Sequence, residues 1–486
     1  MINTIHSPSP AAHNPTLPEE LVSLSNSIDW LRAEEAEKYL ADPRDRYKGA
    51  PVPVFLPRNT LEVSALVTAC HEHEIKIVPY GGGTGVVAGQ LVFDAEKTII
   101  ISLERMNSIR SVSALDSAIV AEAGCILADI HTAAKDVGMT FPLRMASEGS
   151  SMIGGNLATN CGGVQVLRYG NARDLCLGIE AVLPDGSILN ELAPLRKNNA
   201  GYDLRHLMIG SEGTLGIITA ASLSLKPADR EVLTVFCAVG SPDHSISLLS
   251  QLRNALGNNI HAFELMCDHG FSILAKHFPE EKFPLESRHD WYVLMEIAGA
   301  DGLEDRVTNL LAESCEEGFV KDAVVAASQA QSDALWRLRE YTPEANRLNQ
   351  AVCSSDTSVQ ISQIPKFIDR VYEAIASIDP AFFINCYGHI GDGNIHFNIF
   401  PPTGQTKQEI ISSSGDLLDK IRGTINEVTV SLNGSISAEH GIGRLKSTDF
   451  QHFSDPVKFA LCRTIKSALD QKGIMNPGAL IGNDAD

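Results

Sequence analysis

The stretch Cys386-Tyr-Gly-His-Ile-Gly-Asp-Gly-Asn-Ile-His-Phe-Asn-Ile-Phe400 leaves its backbone few choices. Apolar runs flank Gly-Asp-Gly-Asn, a turn sequence that predicts a β-hairpin. With residues 391–394 as the loop, Ile390 faces Ile395 and His389 faces His396. Directly opposed residues share a sheet face with Cβ atoms roughly 4.5–5.5 Å apart, so two imidazoles point the same way at a separation that suits one metal ion. Alternation with period two brings Tyr387 and Asn398 to that face. The plainer reading is a tight turn decorated by two surface histidines. A second polar cluster, Ser437-Ala-Glu-His-Gly-Ile-Gly443, argues for a site.

Upstream, residues 1–17, rich in Ser, Pro and Asn, read as a disordered start, and residues 18–48 as a helical lead-in carrying Glu34, Glu35 and Glu37. A short proline-bounded strand is predicted at 51–57, then a helix capped by Thr60 and running to about His73. The strand at 75–80 enters Gly81-Gly-Gly-Thr-Gly85. No Lys follows, as a P-loop requires, and no helix follows, as the dinucleotide fingerprint requires. Val86-Val-Ala-Gly-Gln90 leads instead to a strand at 98–103. Bare glycine backbone can still offer N–H groups to a pyrophosphate. A strand at 118–124 and a helix at 126–137 precede residues 148–163, whose five glycines predict backbone folded against a ligand or another segment. Within that segment Met152, Ile153 and Leu157 seek burial. An Asp-Gly hairpin is predicted at 179–189, a turn into a strand at 210–219, and a boundary at 227–229.

Beyond the boundary, strands at 232–239, 261–266 and 291–297 and helices at 243–255 and 303–317 suggest an antiparallel sheet with helices on one face. Further helices are expected around 336–340, at 364–377, as one long helix over 407–429, and at 455–471, before the apolar turn Met475-Asn-Pro-Gly478. The chain shows no internal repeat.

A formal charge of −21, from 39 basic and 60 acidic residues, argues against nucleic acid or an anionic membrane surface as partner. Ten cysteines without a Cys-x-x-Cys exclude the usual zinc-ribbon and iron–sulfur spacings and suit a reducing compartment. No apolar run approaches the roughly 18–20 residues of a membrane helix. The absence of Lys and Arg before Arg32 speaks against a secretory or mitochondrial presequence. The expectation is a cytoplasmic protein of two or three domains.

His389 and His396, with Glu439 delivered from a later segment, make a His₂-carboxylate set that zinc, manganese or iron(II) would accept. Three protein ligands leave open positions, as a catalytic site needs. The His-Glu-x-x-His of a zinc protease is absent. His440 is the natural proton acceptor beside Glu439, since imidazole ordinarily titrates near neutrality. Arg339 offers a bidentate fork for a carboxylate, although a lone Arg on a helix is ordinarily a solvated charge.

Six motifs occur in order: Pro79-Tyr-Gly-Gly-Gly-Thr-Gly85, Gly154-Gly-Asn-Leu-Ala-Thr-Asn160, Tyr169-Gly-Asn-Ala-Arg-Asp174, Gly210-Ser-Glu-Gly-Thr-Leu-Gly-Ile217, His389-x-Gly-Asp-Gly-Asn-x-His396 and Ser437-Ala-Glu-His-Gly441. The series, covering roughly residues 40–480, resembles the FAD-linked oxidoreductases of the vanillyl-alcohol oxidase superfamily. Within it the chain is similar to the D-2-hydroxy acid dehydrogenases: D-lactate, D-2-hydroxyglutarate and the flavin subunit of glycolate oxidase. The resemblance implies an α+β fold: a lead-in (1–48), a two-lobed PCMH-type FAD-binding domain (49–227), and an α+β C-terminal cap domain with an antiparallel sheet (228–486). The last ~30 residues would return to the FAD. It implies FAD contacts at Pro79, Gly81, Gly82, Gly83, Thr84, Gly85, Gly149, Ser150, Ile153, Gly154, Gly155, Asn156, Thr159, Asn160, Ile217 and Asn476. It implies metal ligation by His389, His396 and Glu439 with zinc preferred, substrate contacts from Arg339, Asn398 and His440, and His440 as base.

The implied reaction takes a D-2-hydroxy acid to its 2-oxo acid, with hydride passing from Cα to flavin N5. The metal would lower the pKa of the bound hydroxyl. The electrons would leave through an external acceptor, an electron-transfer flavoprotein or a quinone, and a homodimer is compatible with this. One position departs from the pattern. Hydroxyglutarate-type relatives typically carry a Lys two residues before the match to Asp356, where this chain has Ser354. A lost cation there weakens the case for a dicarboxylate and leaves room for lactate, malate or a longer 2-hydroxy acid; the expected substrate is D-2-hydroxyglutarate or D-lactate. The alternatives are an oxygen-using 2-hydroxy acid oxidase, an inactive flavoprotein scaffold and, from another class, a metal-dependent hydrolase with an incidental glycine loop.

Overall fold

A computed structural model describes residues 17–413 and 416–482. The predicted disordered start lies outside them up to residue 16. The chain divides into two compact units. The first holds the described residues up to Gly163, then Gly170–Ala228, then those from Glu439 onward; the second holds Val164–Tyr169 and Asp229–Ala438.

Besides a two-stranded sheet, Met139–Thr140 with Lys226–Pro227, the first unit contains two larger sheets. In one, Lys76–Tyr80 and Val54–Phe55 flank Thr98–Ser102 in parallel, with Trp30–Leu31 antiparallel at the edge. Helix Thr60–His73 places Val63, Leu66, Val67 and Cys70 on one buried face, the i, i+3, i+4, i+7 stripe of an amphipathic helix. Its cap is Asn59, whose side chain accepts from Glu62 N at 3.0 Å, and not Thr60 as predicted. Thr60 instead donates its hydroxyl to buried Glu180 at 2.6 Å. The C-terminal segment returns to this sheet. Ile77 N–H donates to Ile474 O and Asn476 N–H to Ile77 O, both at 2.8 Å. The second sheet is antiparallel, in the order Ile109–Ser113, Ala118–Glu122, Ile217–Ser224, Cys176–Val182, Ile188–Glu191. The lead-in is not α-helical. It forms short 3₁₀ turns, among which Ser25 and Ser27 hydroxyls bond backbone carbonyls and so compete with helix propagation.

The second unit is built on an antiparallel sheet in the order Val320–Val325, Glu231–Val239, Trp291–Gly299, Ile260–Cys267, Phe383–Gly388, Asn394–Phe400, Cys353–Ser354. Helices cover both faces, not one. Val235, Cys237 and Val239 pack with helices Pro242–Leu256, Leu303–Glu316 and Ile364–Ile378. The alternate residues Phe236 and Ala238 pack with Asp268–His277 and Gln329–Glu340. Both sets of alternate side chains are apolar, so the sheet has no face to give to water. The single helix predicted over 407–429 is two, Lys407–Ser413 and Leu417–Ser431.

Candidate active site

The hairpin forms in a different register from the one predicted. Tyr387, not His389, stands opposite His396, and Asn385 stands opposite Asn398. The loop is therefore longer and begins at His389, whose carbonyl accepts from Asp392 N (3.1 Å) and Gly393 N (3.2 Å). Two glycines set this register. A Cβ at Gly388 would collide with Asn394 O, and one at Gly393, where φ is +96°, with Val359 O. The shift is even, so the facing side chains keep their face. The two imidazoles still meet, with ring centroids 5.8 Å apart and planes at 81°.

Both rings are buried, and each has its Nδ1 against an acceptor. His389 Nδ1 lies 2.5 Å from Glu264 Oε1, and His396 Nδ1 lies 3.4 Å from Ser355 O. Each contact selects the tautomer with the proton on Nδ1 and the lone pair on Nε2, the arrangement of metal-bound histidines. The pair of rings thus fits a divalent cation by its donor chemistry.

Sequence reasoning missed Glu264. It sits mid-strand in Ile260–Cys267 with no exposed surface, and its second oxygen accepts from Arg339 Nε at 2.7 Å. Burial alone would raise its carboxyl, but His389 and Arg339 outweigh this and hold it down to about 2. Arg339 is buried too, its guanidinium 4.7 Å from the centroid of the Tyr387 ring. An acidic residue inside the apolar run Ala262–Cys267 was the available signal.

Asn398 is buried, and Ser354 Oγ donates to its Oδ1 at 2.7 Å. Its Nδ2 has no partner among the described residues. A buried amide N–H₂ left this way fits an incoming oxygen of a ligand. Asp356, also missed, is buried and accepts from Asn394 Nδ2 (3.2 Å) and Ser437 Oγ (3.4 Å), and its carbonyl accepts from Ala438 N (3.3 Å). Glu439 and His440 follow Ala438 directly, at the passage from the second unit back to the first.

In the first unit, Glu212 anchors the next residues. Its buried carboxylate accepts from Ile442 N (2.8 Å) and Gly443 N (2.6 Å). Arg444 donates to Ala88 O, Gly89 O and Asn476 Oδ1, and Asn476 Nδ2 to Gly89 O and Glu212 O. The Asn476 side chain is thus engaged in joining the C-terminal turn to the glycine segments.

The backbone N–H groups of Gly81, Gly82, Gly83, Thr84 and Gly85 find no acceptor among the described residues, and the loop is half-buried. Gln90 pins it by donating to Gly85 O at 2.8 Å. Residues 148–163 contain helix Ile153–Ala158, and Ile153 and Leu157 are buried as expected. Its N-terminal end is held by Ile153 N to Cys125 O (3.0 Å) and Gly154 N to Ala123 O (2.8 Å). The two glycine segments touch, since a Cβ on Gly82 would collide with Ser150 O. At Gly149 and Gly155 a Cβ would meet nothing within 4 Å. Unpaired donors beside open space form a cradle that fits a pyrophosphate. Asn156 is buried with Nδ2 3.4 Å from Ser151 Oγ, Thr159 bonds Gly155 O (3.0 Å), and Asn160 accepts from Arg173 N (3.0 Å). Ile217 and Pro79 lie in strands, the Ile217 side chain within the core.

The chain matches two family descriptions, an FAD binding domain over residues 51–191 and the C-terminal domain of FAD linked oxidases over residues 228–480. It is 34% identical to a D-2-hydroxyglutarate dehydrogenase of Xanthomonas citri pv. viticola, over 95% of this chain and 96% of that one. It is 36% identical to the mitochondrial D-2-hydroxyglutarate dehydrogenase of Arabidopsis thaliana, over 91% and 77%. Among solved structures it resembles alkyldihydroxyacetonephosphate synthase (TM-score 0.71, 18% identity, 96% of this chain and 86% of that one). It also resembles p-cresol methylhydroxylase (TM-score 0.72, 14% identity, 96% of each). At those identities the likeness concerns the fold.

Proposed function

The chain belongs to the FAD-linked oxidases, in the group of the D-2-hydroxy acid dehydrogenases, and from that premise we propose that it oxidises D-2-hydroxyglutarate to the 2-oxo acid with the help of a divalent cation. The names of its relatives support the substrate. The paired imidazoles, each held with Nε2 as the donor, carry the proposal for the cation. Glu439 completes the ligand set in this reading, with zinc the first choice for a His₂-carboxylate site.

When bound, FAD supplies the two-electron acceptor that no side chain provides. A cation on His389, His396 and Glu439 supplies positive charge that lowers the pKa of an adjacent hydroxyl. The protein does the rest. His440 takes the hydroxyl proton, Asn398 donates its buried Nδ2–H to a substrate oxygen, and Arg339 receives a carboxylate. Gly81, Gly82, Gly83, Thr84 and Gly85, with Gly149, Ser150, Gly154, Gly155 and Asn156, hold the dinucleotide. Reoxidation falls to an external acceptor, an electron-transfer flavoprotein or a quinone, since the ten scattered cysteines offer no cluster spacing. None of the cysteines is in a disulfide, which suits the cytoplasm. Among the described residues no helix is long and apolar enough to cross a membrane.

Anaerobic mixing with a panel of D- and L-2-hydroxy acids tests the proposal. D-2-hydroxyglutarate should bleach the flavin band, its L-enantiomer should not, and exhaustive chelation should abolish the bleaching. Bleaching that survives complete metal removal would take the cation out of the reaction.

Ser354 gives a second test. Its hydroxyl orients Asn398 but carries no charge. Ser354→Lys is expected to raise kcat/KM for D-2-hydroxyglutarate relative to D-lactate by about tenfold, the effect of one charge-assisted hydrogen bond to a distal carboxylate. An unchanged ratio would remove position 354 from substrate selection.

A further inference from the structure

Glu264 is a fully buried acid for which the proposed reaction has no chemical task. We infer that it is a positioning residue that orients a metal-binding imidazole and a substrate-binding guanidinium with one carboxylate; the inference rests on the reading of His389 and His396 as metal ligands. The geometry is divided between its two oxygens. Oε1 is 2.5 Å from His389 Nδ1, and Oε2 accepts from Arg339 Nε at 2.7 Å. A purely structural ion pair would be complete with Arg339 alone. Here the second oxygen binds the one ring nitrogen whose protonation directs the other toward a cation. His396 has the same orientation through a different acceptor, Ser355 O, so two unrelated contacts converge on the same tautomer. The negative charge behind His389 also makes its Nε2 a stronger donor. On the other side, the bond from Nε to Oε2 fixes the plane of the Arg339 guanidinium.

Glu264→Gln keeps the shape but supplies one acceptor where two N–H donors need one each. In the full-length, FAD-loaded protein, the Zn²⁺ dissociation constant, measured by competition with a chelating dye, should rise about 10–100-fold. KM for the 2-hydroxy acid should rise as well, because a neutral amide holds the Arg339 guanidinium more weakly than a carboxylate does. A Zn²⁺ affinity within twofold of the wild type in a folded variant would overturn the inference. Should the variant not fold, the metal-stripped wild type decides. With ¹⁵N-labelled histidine, the His389 signals, assigned by their loss in His389→Ala, should report a proton on Nδ1. A proton on Nε2 would overturn the inference. Zn²⁺ binding that is absent in the wild type, or unchanged in His389→Ala, would overturn the metal reading itself, and this inference with it.

Discussion

His396→Ala is expected to lower kcat/KM for the D-2-hydroxy acid about 10³-fold, roughly 4 kcal/mol of transition-state stabilisation, while the protein stays yellow. His396 lies on strand Asn394–Phe400 of the second unit, whereas the glycine cradle lies in the first. On the proposed ligand set, metal and flavin occupancy should therefore separate, with zinc binding lost and FAD binding retained. The variant also loses a buried ring, so its melting temperature must be measured beside its activity. A fall of less than threefold with zinc retained would show that the imidazole pair is not the ligand set. Loss of zinc and FAD together would point to unfolding.

Gly155→Leu is the second large effect. Gly155 lies in helix Ile153–Ala158, and a Cβ there meets nothing within 4 Å. Leu is a good helix former, so the apoprotein should fold with unchanged or higher stability. If the open space belongs to the cofactor, the side chain fills it, and FAD affinity should fall at least about tenfold to a hundredfold, giving a nearly colourless preparation. Gly82→Ala makes the contrast. Its Cβ would strike the Ser150 carbonyl, so it should lose both colour and stability. Full FAD content in Gly155→Leu would move the cofactor away from this helix.

The hairpin that carries the proposed site was legible in the sequence because turn signals and motif order are local. His389, His396 and Asn398 are read from one hairpin, and the even shift in its register left their common face intact. The loop length was misjudged because Gly388 and Gly393 act through contacts with Asn394 and with Val359, a residue more than 30 positions away. Glu264 and Asp356 escaped notice for the same reason. Their partners, Arg339 and His389 for one and Asn394 and Ser437 for the other, are distant in sequence. Helices on both faces of the large sheet were missed because strands such as Glu231–Val239 are apolar on both sides, a pattern that gives no alternation to count.

The parallel bridge between Ile77 and Met475 bears on how the protein is made. The ribosome releases residues 229–438 as a nearly continuous block, able to collapse while synthesis continues. The dinucleotide cradle, by contrast, waits for partners translated almost four hundred codons later. With the flavin held at the proposed cradle, its loading becomes a late event of biogenesis, and premature termination between the codons for Glu439 and Met475 would leave a complete sheet in one half and an unfinished one in the other.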